Sequence, residues 1–250
     1  MELQELTSYL DSYLQINEIA DYGPQGLQIE TDNRNVAKIA LAVDSSPTVI
    51  QTAADWGADV LLVHHGIFWG GAQKISGPFG ERVRSCMRTG VNLYAAHLPL
   101  DAHREVGNNA ILANLVGLEN LEDWGKMKGT FLGLCGDVRP KLLKDLVKKL
   151  DTALNTTSRV LQHGPSTVRK VAIMSGGGAG MVEEAVSLGA DTYITGETSH
   201  SQFWLASDFG VNVIFSGHYA TETVGVKALG QHLEEKFGLE TAFFDFPTQM

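Results

Sequence analysis

The sequence is poor in cysteine and in long apolar runs. Its 250 residues contain two cysteines, Cys86 and Cys135, and no CxxC pair. This excludes a zinc cluster built from thiolates and is typical of a reducing compartment. No stretch approaches the roughly 20 apolar residues that span a bilayer, and the N-terminus lacks the basic region of a secretory signal. We therefore expect a cytoplasmic protein without a membrane segment.

Positive charge is also scarce, since the formal net charge is −10. That balance disfavours binding to nucleic acid or to anionic membranes. A small anionic substrate is still compatible, because a metal ion can reverse the local field. A GxSxG nucleophile elbow is missing, so Ser-His-Asp catalysis has no support. The hydrophobic content of 44% is enough for a real core, in one large domain or in two.

The strongest chemical signal is VLLVHHGIFWGG at residues 60–71. Four apolar residues after a Gly-Ala-Asp sequence predict a buried strand, and His64 and His65 stand where it ends. Open α/β sheets bind ligands at such strand ends. Neighbouring side chains on an extended chain point to opposite sides, which suits two metal ions better than one. For the pair alone, a solvated loop with two histidines is an equal alternative.

The rest of the chain predicts alternating helices and strands. An amphipathic N-terminal helix has Leu3, Leu6 and Leu10 on one side. A second helix starts at a polar cap followed by Pro47. Strands are predicted at residues 38–43, 91–96, 131–135, 170–174 and 192–195. Residues 124–130 are interpreted as a bridge, and a further helix is predicted from Pro140 to Leu150.

Three tripeptides recur in the same order along the chain. They are Gly-Ala-Asp at 57–59 and 189–191, Gly-Val-Asn at 90–92 and 210–212, and Gly-Leu-Glu at 117–119 and 238–240. This indicates an internal duplication. We predict an α/β fold with mostly parallel sheets in two similar domains, residues 1–125 and 126–250, and a metal site in the cleft between them. The strand at 241–246 can pack on either domain, including the first.

The duplication predicts where further metal ligands lie. The strand after the first Gly-Val-Asn ends in His97, with Asp101 four residues later. The strand after the second ends in His218, with Glu222 four residues later. Residues four apart share one face of a helix. The resulting nitrogen–oxygen set suits a pair of divalent ions and consists of His64, His65, Asp101, His218 and Glu222.

Each of the last three residues has a purely structural alternative. Glu222 could favour a helix N-terminus, Asp101 could cap a helix, and His218 could lie at the surface. Their joint placement at strand ends, together with the two adjacent histidines, favours the metal site. Zinc, manganese, iron and nickel all suit such a set.

Other polar residues are candidates for catalysis or binding. His97 is expected to orient a ligand or to move a proton. Glu197 and His200, in GETSHSQFW, are either general acids or bases or polar loop residues. A glycine run resembles a phosphate cradle at a helix start, although it lacks the GxGxxG spacing and a Walker lysine. Its glycines are Gly176, Gly177, Gly178 and Gly180.

Several motifs together resemble those of a known family. They are LLVHHGIFWGG, AAHLPLDAHREVGNN, SGGGAG, GETSH and IFSGHYATETVGVKALGQHLEEKFGLE. They are similar to the NGG-interacting-factor-three-like family, whose members are often labelled GTP cyclohydrolase one, type two homologues. The resemblance implies a dinuclear site with the same five ligands, two like α/β domains and a toroidal homohexamer. The chain resembles the short form, without a domain inserted between the halves.

These observations lead to two hypotheses for function. The first is a metal-dependent hydrolase that acts on a nucleotide or modified nucleotide, as in the hydrolytic opening of a guanine ring. The second is a non-enzymatic metal-binding adaptor or metallochaperone that acts through protein partners. An open site onto which His97, Glu197 and His200 converge would favour the enzyme, and a closed site would favour the structural role. A DNA-binding ring is disfavoured by the net charge.

Overall fold

The structure is a computed structural model that describes residues 1–249. It forms two compact units, each with its own sheet. The first unit comprises residues 1–100 and 226–246, and the second comprises residues 101–225 with the segment that starts at Pro247. No helix within residues 1–249 has both the length and the apolar character needed to cross a lipid bilayer.

The first unit contains a five-stranded sheet. Its elements, numbered in chain order, are α1 (Leu3–Tyr13), β1 (Gly26–Ile29), β2 (Lys38–Asp44), α2 (Pro47–Trp56), β3 (Val60–His65), α3 (Gly77–Thr89), β4 (Asn92–Ala95) and β11 (Glu240–Phe243). The strand order is β1-β4-β3-β2-β11. Strands β4, β3, β2 and β11 are parallel to one another, and β1 is antiparallel to β4.

Local sequence explains these elements. The leucines predicted for the inner face of α1 are buried, since Leu3, Leu6 and Leu10 are at most 2% exposed. The Ser46 side chain caps α2 by accepting a hydrogen bond from the Val49 amide. The apolar run of β3 is buried throughout, as expected for a parallel strand covered on both faces.

The second unit contains a six-stranded sheet of mixed direction. Its elements are α5 (Asn108–Val116), β5 (Glu119–Met127), β6 (Thr130–Leu142), α6 (Leu143–Leu154), β7 (Arg159–Gln162), β8 (Thr167–Met174), α7 (Val182–Ser187), β9 (Thr192–Thr195), α8 (Gln202–Phe209) and β10 (Asn212–Phe215). The strand order is β5-β6-β8-β9-β10-β7. Only β8, β9 and β10 are parallel neighbours among the described strands of this sheet, which corrects the expectation of mostly parallel sheets.

A long hairpin accounts for that difference. The residues predicted as a bridge belong to β5 and β6, which pair as antiparallel strands up to Met127 opposite Thr130. Pro140, predicted to start a helix, lies in β6 where the register with β8 shifts between Asp137 and Lys141. Proline is tolerated in a strand at such an irregularity, because no ladder bond needs its missing N–H. Helix α6 begins three residues later, at Leu143.

The bounds of the units differ from a division after residue 125. Strand β11 pairs in parallel with β2, from Glu240 opposite Lys38 to Phe243 opposite Leu41, so the C-terminal strand extends the first sheet. Helix α5 contributes Leu112 to the apolar core of the second unit. Two helices, α4 (Leu98–Ala102) and α9 (His218–Phe237), contain residues of both units.

The two sheets share an order of four strands. The order β1-β4-β3-β2 in the first unit corresponds to β7-β10-β9-β8 in the second, and in each case three parallel strands adjoin one antiparallel strand. The recurring tripeptides supply the same hydrogen bonds in both. Asp59 accepts bonds from the Ala37 and Lys38 amides, and Asp191 accepts them from the amides of residues 169 and 170.

Candidate metal centre

In the first unit, the register of three parallel strands brings polar residues to one edge of the sheet. Asp44 at the end of β2 is paired with His65 at the end of β3, and His97 follows shortly after β4. The carboxyl ends of parallel strands meet at the same edge, where open α/β sheets place their ligands. This edge is therefore the candidate site of the first unit.

The imidazoles of His64, His65 and His97 form a cluster at this edge. One ligand-capable nitrogen from each ring lies within 4.8 Å of those of the other two. The ring centroid of His64 is 4.8 Å from that of His65 and 5.0 Å from that of His97. Our expectation that His64 and His65 point to opposite sides is therefore wrong. His65 is the last residue of β3, and regular alternation of side chains ends there.

Each ring of the cluster is held through its Nδ1 atom. The partner of His64 Nδ1 is the Ala96 carbonyl at 3.0 Å. For His65 the partner is an Asp44 carboxylate oxygen, and for His97 an Asp21 carboxylate oxygen, both at 2.9 Å. These oxygens only accept, so Nδ1 is the donor in each bond. The lone pair of the neutral ring then lies on Nε2, the arrangement typical of metal-bound histidines.

Asp21 is a candidate positioning residue that no local sequence pattern indicated. Its carboxylate also accepts hydrogen bonds from the Leu98 and Tyr22 amides, and its side chain is 2% exposed. Burial by itself raises the pKa of this carboxyl, but the bonds and charge of His97 and the two amides lower it below the usual value. The carboxylate therefore remains ionised behind His97. Asp21 lies in a turn-rich segment 76 residues before His97, and no local pattern linked the two.

Asp44 was also missed, although a signal was available. It stands directly after an apolar strand, as do the histidines at the end of the neighbouring strand. Two consecutive parallel strands that each end in a polar, ligand-type residue indicate a shared site. The local pattern instead places this aspartate in the polar cap that precedes Pro47 and starts α2.

Trp69 lies beside the histidine cluster. Its ring is 5.1 Å from that of His97, edge to face, and 5.7 Å from that of His65. The indole N–H donates to the Gly66 carbonyl at 3.1 Å. The side chain remains 38% exposed. Part of this aromatic side chain next to the candidate ligands is therefore open to solvent.

In the second unit, His218 is the centre of a carboxylate pair. At the start of α9, its Nε2 lies 3.1 Å from a Glu222 oxygen, and its Nδ1 lies 2.6 Å from a Glu197 oxygen. The predicted spacing of four residues thus places His218 and Glu222 side by side. Burial lowers the pKa of His218, but hydrogen bonds and charge from Glu222 and Glu197 outweigh burial and raise it to about 9.

Asp101 is buried in the second unit within a network of polar side chains. Its Oδ1 accepts hydrogen bonds from Asn108 Nδ2 at 2.8 Å and from the Ser175 hydroxyl at 3.1 Å. Asn109 donates to the Asp101 carbonyl. The Asp101 carboxylate is therefore held in one orientation, as expected of a ligand oxygen.

The glycine run passes next to His218 and Glu222. Gly176 has a φ of +61°, and a Cβ atom there would overlap Glu222 Oε1 and lie 3.2 Å from His218 Nε2. Its amide donates to the Thr221 hydroxyl, and its carbonyl accepts bonds from the Gly196 and Glu197 amides. Only a residue without a side chain therefore fits beside His218 and Glu222 at this position.

The other residues predicted for phosphate binding or catalysis are Gly177, Gly178, Gly180 and His200. Gly178 starts a 3₁₀ turn (Gly178–Met181), and its carbonyl accepts a bond from the Tyr193 hydroxyl. Gly177 lies 4.0 Å from His218 Cε1, measured from its ideal Cβ position, and Gly180 faces open space. His200 is exposed in the loop between β9 and α8. Phosphate binding and proton transfer by these residues stay predictions.

The donor set fits divalent metal ions. The oriented imidazoles and buried carboxylates offer nitrogen and oxygen ligands. Neither cysteine belongs to the described ligand candidates, because Cys86 and Cys135 are both buried elsewhere. The space beside Glu222 is kept open by Gly176. In the first unit, His64, His65 and His97 form a group that could ligate metal, and in the second unit His218 and Glu222 lie side by side.

Comparisons with known proteins identify the family of the chain. The family model for Duf34/NIF3 (NGG1p interacting factor 3) matches residues 1–249. A Pyrococcus abyssi protein named "GTP cyclohydrolase 1 type 2 homolog" is 44% identical over 250 residues, with 99% of each chain covered. A Deinococcus radiodurans protein of the same name is 43% identical, with 98% of this chain and 93% of the other covered.

A similar fold is known from a crystal structure. The Thermus thermophilus protein TTHA1606 superposes with a TM-score of 0.92 at 41% identity, and the match covers 100% of both chains. Motifs, fold and the whole-length family match lead to one conclusion. The chain belongs to the Duf34/NIF3 family.

Proposed function

We propose that the protein is a dinuclear metal-dependent hydrolase. Its proposed ligands are His64 and His65 from the first unit and Asp101, His218 and Glu222 from the second. The observation that carries the proposal is the way the histidines are held. In both units an imidazole at a strand end is fixed through Nδ1 by a carboxylate, His65 by Asp44 and His218 by Glu197. Such support is characteristic of metal ligands.

Bound divalent ions supply a hydroxide at neutral pH by lowering the pKa of water, and they polarise the substrate. The chain's own residues orient the ligands and handle protons. We assign proton transfer to His97, Glu197 and His200. His97 is backed by the ionised Asp21, an arrangement suited to a general base. Glu197 holds His218 through a bond of 2.6 Å.

The substrate we propose is a nucleotide or modified nucleotide. The name of these relatives, GTP cyclohydrolase 1 type 2 homolog, suggests hydrolysis of a purine ring. The half-exposed Trp69 beside His65 and His97 offers a face on which a flat base can stack. The glycines at 176–180 are proposed to hold a phosphate. Zinc, manganese, iron and nickel all fit the donor set.

We also propose that the two units arose by internal duplication. The shared order of four strands and the matching hydrogen bonds of Asp59 and Asp191 support it. A cytoplasmic homohexamer of toroidal shape, as the family resemblance implies, is part of the same proposal.

The test begins with elemental analysis of protein purified without chelators, followed by assays with GTP and related nucleotides. We expect about two ions per chain and metal-dependent turnover. Replacing His65 or Glu222 by Ala should lower metal content and abolish turnover together, whereas His163→Gln, at an exposed histidine, should change neither. Turnover that survives metal removal would contradict the proposal. Two ions without turnover would instead favour the metal-binding adaptor.

A further inference from the structure

Helix α6 and the segment before it concentrate positive charge in an acidic chain. Residues 139–149 contain five of the 19 basic residues and one acidic residue, whereas the whole chain has a net charge of −10. Beside these charges, where α6 packs against α5, the surface has a hollow of about 420 Å³. It is lined by Leu115, Asp145, Lys148, Lys149, Thr152 and Ala153. We propose that this hollow and the lysines around it bind a short acidic segment of a partner protein, with one large apolar side chain seated in the hollow.

The walls of the hollow are largely apolar. The residues that α6 contributes recur at intervals of three and four, so they share one face of the helix. Ala153 and the partly buried Leu115 contribute methyl groups. The Thr152 hydroxyl donates to the Lys148 carbonyl at 2.8 Å and is therefore satisfied within the helix. The stems of Lys148 and Lys149 add methylene groups.

The size of the hollow suits a whole side chain. Its volume lies within the range of about 300–1,000 Å³ that is typical of small-ligand pockets. Water in such a hollow has few polar partners, so an apolar side chain displaces it favourably. Burial of one large apolar side chain is enough to anchor a short segment.

Three lysines of α6 lack an acidic partner. Lys144, Lys148 and Lys149 are exposed, and none of them forms an ion pair with any other residue in the described part of the chain. Asp145 lies among them in the first turn of α6, where a carboxylate stabilises the helix N-terminus. The positive charge of this surface is therefore available to carboxylates from outside.

Lys141 shows that the lysines repel one another. Its Nζ donates to the Val116 carbonyl at 2.8 Å. Burial lowers the pKa of Lys141, and the positive charge of Lys149 lowers it further. Carboxylates of a bound segment would relieve this repulsion, which is the electrostatic complementarity expected between an acidic partner and a basic surface.

The dimensions favour a short segment of protein over a long anion. From Lys144 to Ala153 the helix axis rises by about 14 Å, at about 1.5 Å per residue. An extended chain of about four residues covers that distance. Beyond it, the acidic excess of the chain repels nucleic acid or an anionic membrane. Exposed ion pairs contribute little affinity, so the side chain in the hollow supplies most of it.

The experiment uses the full-length protein and a fluorescein-labelled synthetic peptide, Glu-Glu-Leu-Phe-Glu-Glu. Fluorescence anisotropy measures binding at low and at physiological salt. We expect saturable binding that weakens as the salt concentration rises, because salt screens exposed charges. A peptide with Ser in place of Leu and Phe should bind at least about 10-fold more weakly, because it lacks the apolar anchor.

Two variants separate the contribution of charge from that of shape. Lys148→Glu combined with Lys149→Glu should weaken binding by more than about 10-fold. Ala153→Phe, which fills the hollow and leaves every charge in place, should weaken it by about 10-fold. The matched control is Lys74→Glu combined with Lys126→Glu, at exposed positions outside α6, which changes the net charge equally and should bind within about twofold of wild type.

The inference is overturned if the wild-type protein does not bind the acidic peptide, or if the peptide with Ser binds equally well. Circular dichroism verifies that each variant is folded, and the comparison of the two peptides needs no variant. Equal binding by the Lys148→Glu, Lys149→Glu variant and the matched control also overturns it. So does tighter binding of a single-stranded oligonucleotide or of phosphatidylserine vesicles that is lost in the same variant, since the surface then recognises phosphate.

This outcome is independent of the proposed function. The variant Lys148→Glu, Lys149→Glu should have the metal content and turnover of wild type, because neither lysine belongs to the candidate metal centre. Loss of peptide binding beside normal turnover contradicts only the docking surface. Peptide binding by a wild-type chain without turnover contradicts only the hydrolase.

Discussion

The two units share an order of four strands but have different residues at the corresponding strand ends. The offset between the first Gly-Ala-Asp and its repeat is 132 residues (189 − 57), and it also relates Asp44 to position 176 and His65 to position 197. In the first unit, a carboxylate at the end of β2 holds a histidine at the end of β3. In the second, glycine and Glu197 occupy these places, and the histidine comes from the next strand end.

Corresponding strand ends thus carry unlike side chains in the two units. Asp44 fills the first-unit position with a hydrogen-bonding group. At the corresponding position of the second unit, Gly176 has no side chain, and the Glu222 carboxylate occupies the space that a side chain would fill. In both units a carboxylate is hydrogen-bonded to an imidazole. In the first unit these residues stand at the ends of β2 and β3, whereas in the second they follow β9 and β10, which correspond to β3 and β4. The predictions below test the correspondence, starting with the largest expected effect.

Gly176→Ala should fill the space that the Glu222 carboxylate occupies in the second unit. The added methyl group overlaps Glu222 Oε1, so we expect metal affinity to fall by more than about 100-fold. The φ of +61° should also lower the free energy of unfolding by about 1–2 kcal/mol. Isothermal titration with Zn²⁺ and thermal unfolding measure the two effects.

Gly189→Ala is the matched control for this prediction. Its φ is +81° and a Cβ atom there meets open space. It should show a similar loss of stability with unchanged metal affinity. Equal metal affinities in the two variants would contradict the role of Gly176 as space for Glu222.

Asn92→Ala and Asn212→Ala should destabilise the protein to a similar degree, by about 2–3 kcal/mol each, because both leave buried backbone groups without their partners. Asn92 accepts from the Thr31 amide, and Asn212 accepts from the Gly164 amide at a corresponding strand. Chemical denaturation gives the free energies of unfolding. Asn114→Ala, at an exposed helix position, should change stability by less than about 0.5 kcal/mol. An effect confined to one of the two buried asparagines would weaken the case for equivalent units.

Asp44→Asn and Glu197→Gln should each reduce metal affinity by about 10–100-fold while all ligand rings remain in place. Both substitutions keep the shape of the side chain and remove the charge behind a histidine, His65 in one unit and His218 in the other. Competition with a coloured chelator measures the affinities. If neither variant differs from wild type, the Nδ1 bonds do not support metal ligands.

The smallest effect concerns the pH dependence of the metal-free protein. The pKa of His218 is raised from 6.5 to about 9: burial lowers it, but Glu222 and Glu197 outweigh burial. A raised pKa stabilises the fold fully below about pH 6.5, and this stabilisation is lost as the pH rises through about 9. Unfolding of the chelator-treated protein should therefore become easier over that range. Glu197→Gln should flatten the dependence, and an identical pH profile in this variant would contradict the assignment.

Much of the fold and of the candidate ligands could be predicted from local patterns. Amphipathic spacing predicted α1, apolar runs predicted the central parallel strands, and the spacing of four residues predicted the pairing of His218 with Glu222. These features depend on neighbours within a few positions of the chain. Whether the five predicted ligands hold two ions stays a prediction.

Features that depend on distant partners could not be predicted in this way. The hairpin of β5 and β6 is stabilised by pairing across strands, which outweighs the helix-starting tendency of Pro140. Asp21 reaches His97 across 76 positions of sequence. The convergence of the His64 and His65 rings depends on the end of β3 rather than on strand alternation.

The sequence by itself determined the central parallel strands of both sheets, the recurring Gly-Ala-Asp and Gly-Val-Asn sequences, and the family, because periodicity and motifs depend on neighbouring residues. Only the tertiary structure decided which carboxylate supports which histidine and that His97 joins His64 and His65. The physical reason is that strand register and loop packing, which act between residues far apart in the chain, set the distances at which imidazoles and carboxylates meet.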